Sequence, residues 1–273
     1  MNYRHAFHAG NFADLVKHAA VLLTLERLTA RARPLTVIDT HAGRGLYDLA
    51  GPEARRSGEA DAGILRLMSA QDAPAAFEPL RAAVRKLNGP GAVKSYPGSP
   101  WLIVQALRPR DRYVGCELNP GEHAALARAL KGRDGVETRC ADGFAEAPGL
   151  TPRDGEVLVL IDPPFEKPDD YARIVEAAAG VSARNRRAVQ AVWLPLKDLE
   201  TFDAFLRDLE DAEPGPLLVA EVRMRPLSDP MTMNGCAMVF VNAPPELAEP
   251  LGAACRWLAQ VQGEGGEGRV WRP

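Results

Sequence analysis

The chain has 273 residues, 46% of them hydrophobic and 25% charged, and a formal net charge of −3. That balance excludes a wholly disordered chain, a collagen and a coiled coil. No run approaches the roughly 20 apolar residues of a membrane-spanning helix. The N-terminus lacks the apolar core of a secretory signal, so the expectation is a cytoplasmic protein with no membrane partner.

The charge is unevenly spread. Residues 1–110 carry 15 Lys and Arg against 9 Asp and Glu, a net of +6, while the remainder is net −9. A basic half suits either a polyanionic partner or a plain solvated surface. The four cysteines, Cys116, Cys140, Cys236 and Cys255, lie far apart without metal-ligand spacing and read as free buried thiols.

Residues 1–11 are polar, aromatic and His-rich and read as a lid segment. Residues 12–31 carry Leu15, Ala19, Leu22 and Leu23 at helical spacing and predict an amphipathic helix. A short buried strand, 34–39, runs into the glycine turn His41-Ala42-Gly43-Arg44-Gly45. The next strand, Arg112–Glu117, comes about 70 residues later, where a βαβ unit usually needs about 30 in all. The surplus, about 50–95, predicts a helical insertion with helices near 61–70 and 74–88, and it holds much of the basic excess. Helix and strand then alternate: helix 120–131, strand 135–140, a short helix after Asp142-Gly143, strand 156–161, helix 169–180, strand 187–195, helix 200–211, and strands 216–224 and 236–242. This pattern predicts a single α/β domain over 1–273 with a parallel sheet covered on both faces and an antiparallel final pair. Met231–Gly235 reads as a turn with no assigned role, and the tail Gly263–Gly268 as mobile.

Ligands of such sheets bind beyond the carboxyl ends of the strands. The first strand ends in the glycine turn, which is either a close approach to a ligand or simply a turn. The second ends in Glu117, a carboxylate suited to a ribose diol. The third ends in Asp142-Gly143, suited to an adenine edge or to a helix N-cap. The pyrophosphate cradle G-x-G-x-x-G is missing, which favours an adenosine ligand without phosphate, S-adenosylmethionine. The fourth strand ends in Asp162-Pro163-Pro164-Phe165. There the Asp162 carboxylate and Pro163 carbonyl form an acceptor pair for an exocyclic NH2, and Phe165 offers a stacking face. This is the D-P-P-[FY] pattern of amino-methyltransferases. Trp193-Leu194-Pro195 suits either the wall of a base pocket or the core. His5, His8, His18 and His41 lack partners at metal-ligand spacing, and transfer from a sulfonium needs no metal, so no metal site is expected. His18 and His41 suit the methionine end of the cofactor, Lys17 its carboxylate or the helix face. Arg4, His5 and Lys17 are candidate substrate contacts.

Four motifs together carry a closer resemblance: Tyr3-Arg4-His5-x-Phe7-His8-Ala9-Gly10-Asn11-x-Ala13-Asp14-x-x-Lys17-His18, Asp39-Thr40-His41-Ala42-Gly43, Tyr96-Pro97-Gly98-Ser99-Pro100 and Asp162-Pro163-Pro164-Phe165. They resemble the bacterial 23S ribosomal RNA adenine-N6 methyltransferases that modify adenine 2030, over nearly the whole chain. The resemblance implies a class I S-adenosylmethionine-dependent methyltransferase (Rossmann-like) fold and a monomer acting on protein-free or partly assembled 23S ribosomal RNA. It implies that His18, His41, Ser99, Glu117, Asp142 and Gly143 hold the cofactor, that Asp162 is catalytic and that Tyr3 touches substrate. Phe165 departs from the tyrosine common at its position: stacking survives, a phenolic role does not. A DNA amino-methyltransferase of the same fold would carry a target-recognition domain, which some 40 inserted residues hardly supply. A non-catalytic nucleic-acid-binding relative would have no need of Asp162.

Overall fold

The computed structural model describes residues 4–212, 214–227, 229 and 231–273; the expected substrate contact Tyr3 lies outside the described residues. A 3-10 turn at His5–Phe7 leads to Asn11, whose side chain accepts from the Asp14 N–H and caps α1 (Phe12–Thr29). Then come β1 (Leu35–Asp39), β2 (Leu46–Asp48), α2 (Pro52–Ser57), α3 (Arg66–Ser69), α4 (Glu78–Asn88), β3 (Ser95–Pro97) and α5 (Ser99–Ala106). β4 (Arg112–Cys116), α6 (Pro120–Ala129), β5 (Val136–Arg139), α7 (Gly143–Leu150), β6 (Glu156–Ile161), α8 (Asp170–Arg184), β7 (Val189–Leu196) and α9 (Leu199–Asp211) alternate in turn. β8 (Leu217–Arg223), β9 (Gly235–Val241), α10 (Ala248–Gln262) and β10 (Glu267–Trp271) complete the chain.

Eight strands form one sheet in the order β10-β8-β9-β7-β6-β1-β4-β5. β5, β4, β1, β6 and β7 are mutually parallel; β9 runs against both β7 and β8. Chain order reverses at β1, which pairs with β4 on one side and β6 on the other, so a crevice opens at their carboxyl ends. A parallel sheet wound outward from β1, with one reversed strand beside β7, is the class I methyltransferase fold the sequence predicts. The central strands are buried on both faces, as parallel strands must be. Leu158 and Leu160 of β6 pack on one side with α1, α5 and α10, while Val157, Val159 and Ile161 pack on the other with α7, α8 and α9.

Four expectations need correction. First, α1 is not amphipathic. It is buried around nearly its whole circumference, because it packs between α5, α4, α10 and the sheet. Second, the helix expected over 61–70 breaks at Gly63 (φ −88°, ψ −106°), where the chain turns to dock on the N-terminal segment through Ile64 N–H to the Gly10 carbonyl, 2.8 Å. β2 and β3 form a separate antiparallel pair in the same region. Third, Cys140 is exposed, beyond the edge strand β5; only the other three cysteines are buried. Fourth, the tail is ordered. Glu264 N–H meets the Met224 carbonyl at 2.6 Å, and β10 pairs antiparallel with β8.

The reason for that last difference lies in Glu221, fully buried on β8. It accepts hydrogen bonds from Arg223, from Arg269 at 2.9 Å and from Trp271 Nε1 at 3.1 Å, the last two on β10. Glu221→Ala removes the acceptor common to all three. Urea unfolding is expected to show a loss of about 2 kcal/mol, and an unchanged midpoint would mean that β10 is held by its ladder alone.

Candidate active site

A cleft of about 1120 Å³ opens at the carboxyl ends of β1, β4, β6 and β7. It gathers almost every residue the sequence singles out: Arg4, His5, Lys17, His18, His41, Ser99, Glu117, Asp142, Gly143, Asp162, Pro163 and Phe165 all line it.

Its centre is a buried ion cluster. Lys17 Nζ lies 2.9 Å from Asp14 Oδ1 and 2.7 Å from Asp162 Oδ2. Burial opposes the lysine charge, yet the two carboxylates hold its pKa well above the ordinary value. Asp14 is likewise buried, and His5 and Lys17 keep its carboxyl well below the usual range. Asp14 Oδ2 accepts from Gly10 N–H at 2.8 Å and meets His5 Nε2 at 3.0 Å, so one carboxylate joins the N-terminal segment to Lys17. Lys17 is therefore the partner of both Asp14 and Asp162 rather than a free cation.

Around this cluster lie the loops that follow β1, β4 and β5. The glycine loop after β1 turns through positive φ at Gly43 (+65°) and Gly45 (+81°), conformations costly for other residues. Gly43 N–H donates to Glu117 Oε2 at 2.9 Å and Asn119 N–H to Oε1 at 2.7 Å. Burial raises the Glu117 carboxyl. Each oxygen keeps a further lone pair for a diol. Asp142 serves as the N-cap of α7, accepting from Phe144 N–H at 3.1 Å, while its other oxygen meets Arg173 at 2.5 Å. Each Asp142 oxygen thus already accepts one hydrogen bond and, as in Glu117, keeps a further lone pair, and the N-terminus of α7 offers backbone donors beside it. His41 Nδ1 contacts Thr40 Oγ1 at 2.7 Å, and its ring meets the Phe144 ring edge-on at 4.5 Å. Burial lowers its pKa to about 4, so it is neutral at pH 7.

At the opposite wall Phe165 follows the two prolines with φ +51°, an uncommon conformation for such a side chain. Tyr171 and Trp193 back its ring at centroid distances of 5.0 and 5.8 Å. Trp193 and Pro195 line the cleft, so they serve as its wall as well as packing.

Two residues of the site were missed by the sequence reading. Asp14 sits inside a quoted motif, and its Asn11-capped helix start was a visible signal. Asp39 ends β1 fully buried. Ser99 Oγ donates to its Oδ2 at 2.9 Å and Tyr113 OH approaches at 3.3 Å, while Oδ1 has no partner. Its position at a strand end and its place at the head of the quoted motif Asp39-Thr40-His41-Ala42-Gly43 were the signals for it.

Burial pushes the Asp39 carboxyl up to about 7 from 3.8, against the Ser99 hydrogen bond. A carboxyl whose folded pKa is the higher one binds its proton more tightly when folded. Its burial therefore disfavours folding increasingly as pH climbs from about 4 to about 7. Asp39→Asn is expected to gain thermal stability relative to the parent chain across that window. A difference that stays constant between about pH 4 and about pH 7.5 would rule out the perturbed carboxyl.

Residues 32–273 match the family model described as Ribosomal RNA large subunit methyltransferase D, RlmJ. The chain is 33% identical over 259 residues to Ribosomal RNA large subunit methyltransferase J of Escherichia coli, covering 94% of this chain and 92% of that one. It is 34% identical to the protein of the same name from Haemophilus influenzae, covering 89% and 88%. A crystal structure of a Legionella pneumophila protein superposes with a TM-score of 0.89 at 27% identity, covering 97% of this chain and 98% of that one. On its ribosomal RNA-methyltransferase family model and its curated relatives, this chain belongs to the RlmJ family.

Proposed function

We propose that the protein transfers a methyl group from S-adenosylmethionine to N6 of an adenine in 23S ribosomal RNA, at position 2030, acting as a cytoplasmic monomer on protein-free or partly assembled RNA. The observation that carries this reading is Asp162-Pro163 at the end of β6, with Lys17 Nζ fixed on Asp162 Oδ2 at 2.7 Å.

The cleft fits the methyl donor. His18 is buried and lines the cleft. Its Nδ1 meets Tyr96 OH at 2.7 Å and its Nε2 has no hydrogen-bond partner. Burial lowers its pKa to about 3, so at pH 7 the ring is neutral; with Tyr96 donating, Nε2–H is the donor a carboxylate requires. Asp39 Oδ1 is a buried acceptor beneath Ser99, as an ammonium requires. Glu117 suits the ribose diol, and Gly143 and its neighbours at the start of α7 suit the adenine edge. S-adenosylmethionine supplies the electrophile, a methyl carbon on a sulfonium.

The chain's own residues activate the nucleophile. The N6 lone pair of adenine is delocalised into the ring. Lys17 occupies Asp162 Oδ2, which leaves Oδ1 to act together with the Pro163 carbonyl as the acceptor pair. These two acceptors draw the NH2 hydrogens from the ring plane and free the lone pair. Proline contributes no competing N–H and keeps its carbonyl rigid. The contribution is positioning and electrostatics. Methylated N6 is cationic and acidic, and Asp162 is placed to accept its proton. Flipping the base out costs a few kcal/mol, which stacking on Phe165 offsets by about 1–3 kcal/mol. Arg4, His5 and the rest of the N-terminal segment close over the base as a lid. The insertion, with Arg55 and Arg56 exposed on α2, extends the RNA face.

The deciding observation is N6-methyladenine in ribosomal RNA mapped with and without the gene. In single-turnover assays on a ribosomal RNA fragment, Asp162→Asn is expected to lose on the order of 100- to 1000-fold or more while binding S-adenosylmethionine normally. Phe165→Ala should lose less, and Phe165→Tyr should be nearly neutral. Retention of more than about a tenth of the activity by Asp162→Asn would refute its role.

Replacing both Arg55 and Arg56 by Ala is expected to flatten the salt dependence of RNA binding by roughly 0.7–0.9 in slope for each phosphate no longer neutralised, with cofactor affinity unchanged. An unaltered slope would remove these arginines from the RNA face.

A further inference from the structure

The cleft occupies one pole of the sheet, at the carboxyl ends of its parallel strands. The opposite pole is built from the five connections that lead into those strands: residues 26–34 into β1, 107–112 into β4, 128–137 into β5, 151–156 into β6 and 183–188 into β7. In the ladder Leu35 stands beside Glu156, Thr36 beside Arg112, Tyr113 beside Val136 and Leu158 beside Val189. The five strands therefore begin within two residues of one level. At about 4.8 Å per strand the row is about 19 Å wide, and at about 3.3 Å per residue strands of this length set it roughly 15–20 Å from the cleft.

Hydrogen bonds join these connections into one surface. Arg108 donates to the carbonyls of Thr29, Arg31 and Arg33. Arg31 meets Glu156 at 2.7 Å, and Tyr113 N–H meets the Gly135 carbonyl at 2.9 Å. Arg184 and Asn185 donate to the carbonyls of Thr151 and Pro152 at 3.2 and 3.1 Å.

The surface is strongly basic. The five connections carry 13 Lys and Arg against 6 Asp and Glu, in a chain whose net charge is −3. Three of the carboxylates are matched: Asp111 by Arg108, Glu156 by Arg31, and Glu137 by Arg112 and Arg139. The other three, Glu26, Asp134 and Asp154, each adjoin an arginine in the sequence. Arg33, Arg110, Lys131 and Arg187 are left exposed, with no ion-pair partner among the described residues. Opposing charge at this pole lies at the antiparallel edge, where Asp211 precedes β8 and Glu246 and Glu249 follow β9, all exposed. β9 is three strands from β1, about 14 Å, beyond the screening length of about 8 Å at physiological salt. Entry into a parallel strand requires no charge, and like charge gathered at one pole disfavours the compact chain by self-repulsion. An array of phosphates offsets that repulsion.

We propose that this pole binds the phosphate backbone of the RNA that flanks the target, as a second RNA surface separate from the cleft and the insertion. The assignment rests on RNA as the substrate. Contacts of this kind carry no sequence information; they fix position and add affinity. An RNA that extends past the target gains them, and one trimmed to the target does not.

The test uses the full chain and a pole variant with Arg33→Gln, Arg110→Gln and Arg187→Gln together. A control variant with Arg207→Gln, Arg256→Gln and Arg272→Gln removes the same charge from exposed sites on α9, on α10 and after β10. Binding is read by fluorescence anisotropy on two ribosomal RNA fragments, one trimmed to the target and its nearest nucleotides and one carrying the flanking helices. The parent chain is expected to bind the long fragment more tightly than the short one. On the long fragment the pole variant should lose about tenfold or more, with a salt slope lower by about 2, roughly 0.7–0.9 for each phosphate released. On the short fragment it should match the control variant, and S-adenosylmethionine affinity and melting temperature should be those of the parent. Lysine at the same three positions keeps the charge and should restore binding of the long fragment. A pole variant that equals the control on the long fragment, or that loses equally on both fragments, overturns the proposal. So does a parent chain that binds the two fragments equally. Because binding is measured apart from transfer, a parent chain that binds the long fragment through the pole without methylating it counts against the proposed reaction and not against the pole. A parent chain that binds neither fragment refutes both.

Discussion

Lys17 lies between two carboxylates, Asp14 and Asp162, in a place from which water is largely excluded. The organisation of the site depends on this charge. Ions removed from water incur several kcal/mol each, and only close opposite charge with full hydrogen bonding offsets that. The ammonium meets both anions within hydrogen-bond distance, and Asp14 receives Gly10 N–H and His5 besides. Removing Lys17 would leave two anions facing each other, whereas removing Asp14 would leave Lys17 with Asp162 alone. The cluster thus keeps Asp162 oriented with one oxygen engaged and one available. That asymmetry is what the proposed role requires, a carboxylate with one oxygen free to accept a hydrogen of an amino group.

Such a cluster needs rigid supports, and the fold supplies them from separate parts of the chain. α1 provides Asp14, Lys17 and His18 on successive turns and is itself enclosed by α4, α5, α10 and the sheet. β6 ends at Asp162, after which two prolines restrict the backbone. The turn is completed by Phe165 at φ +51°, a conformation that costs of the order of 1–3 kcal/mol unless its surroundings hold it. Tyr171 and Trp193 hold the ring.

Much of this was legible in the sequence because it rests on local rules. Strand ends, glycine turns and Asp162-Pro163-Pro164-Phe165 are written in consecutive residues, and helix–strand alternation fixes the parallel sheet. What escaped depends on interactions between distant segments. α10 has apolar residues at helical spacing, Leu251, Ala254, Cys255 and Leu258, but is obscured by the glycine-rich tail beside it. That tail is held by its ladder to β8 and by Glu221, 48 residues earlier than Arg269, which draws it to the sheet. The break at Gly63 arises from docking on Gly10, and the environment of Asp39 depends on Ser99 and Tyr113 arriving from other elements. The side chain of Asp142 could be read as cap or as ligand; it caps α7 and also lines the cleft.

Asp14 also gives the N-terminal segment an energetic role. His5 lies on Asp14, while His8 and Asn11 lie on Glu59 of the insertion at 2.9 Å each. The hydrogen bond that His8 donates to Glu59 raises the His8 pKa, and His8 and Asn11 lower that of Glu59 against its burial. The segment is therefore tied at one end to the insertion and at the other to the ion cluster that orients Asp162. Coupling of this kind is reciprocal. Whatever favours the seated segment favours the Asp14–Lys17–Asp162 arrangement, and a substrate that engages Asp162 favours the seated segment by the same free energy. The N-terminal motif and the D-P-P-F motif, whose Lys17 and Asp162 lie 145 residues apart in the sequence, thereby act as one electrostatic unit.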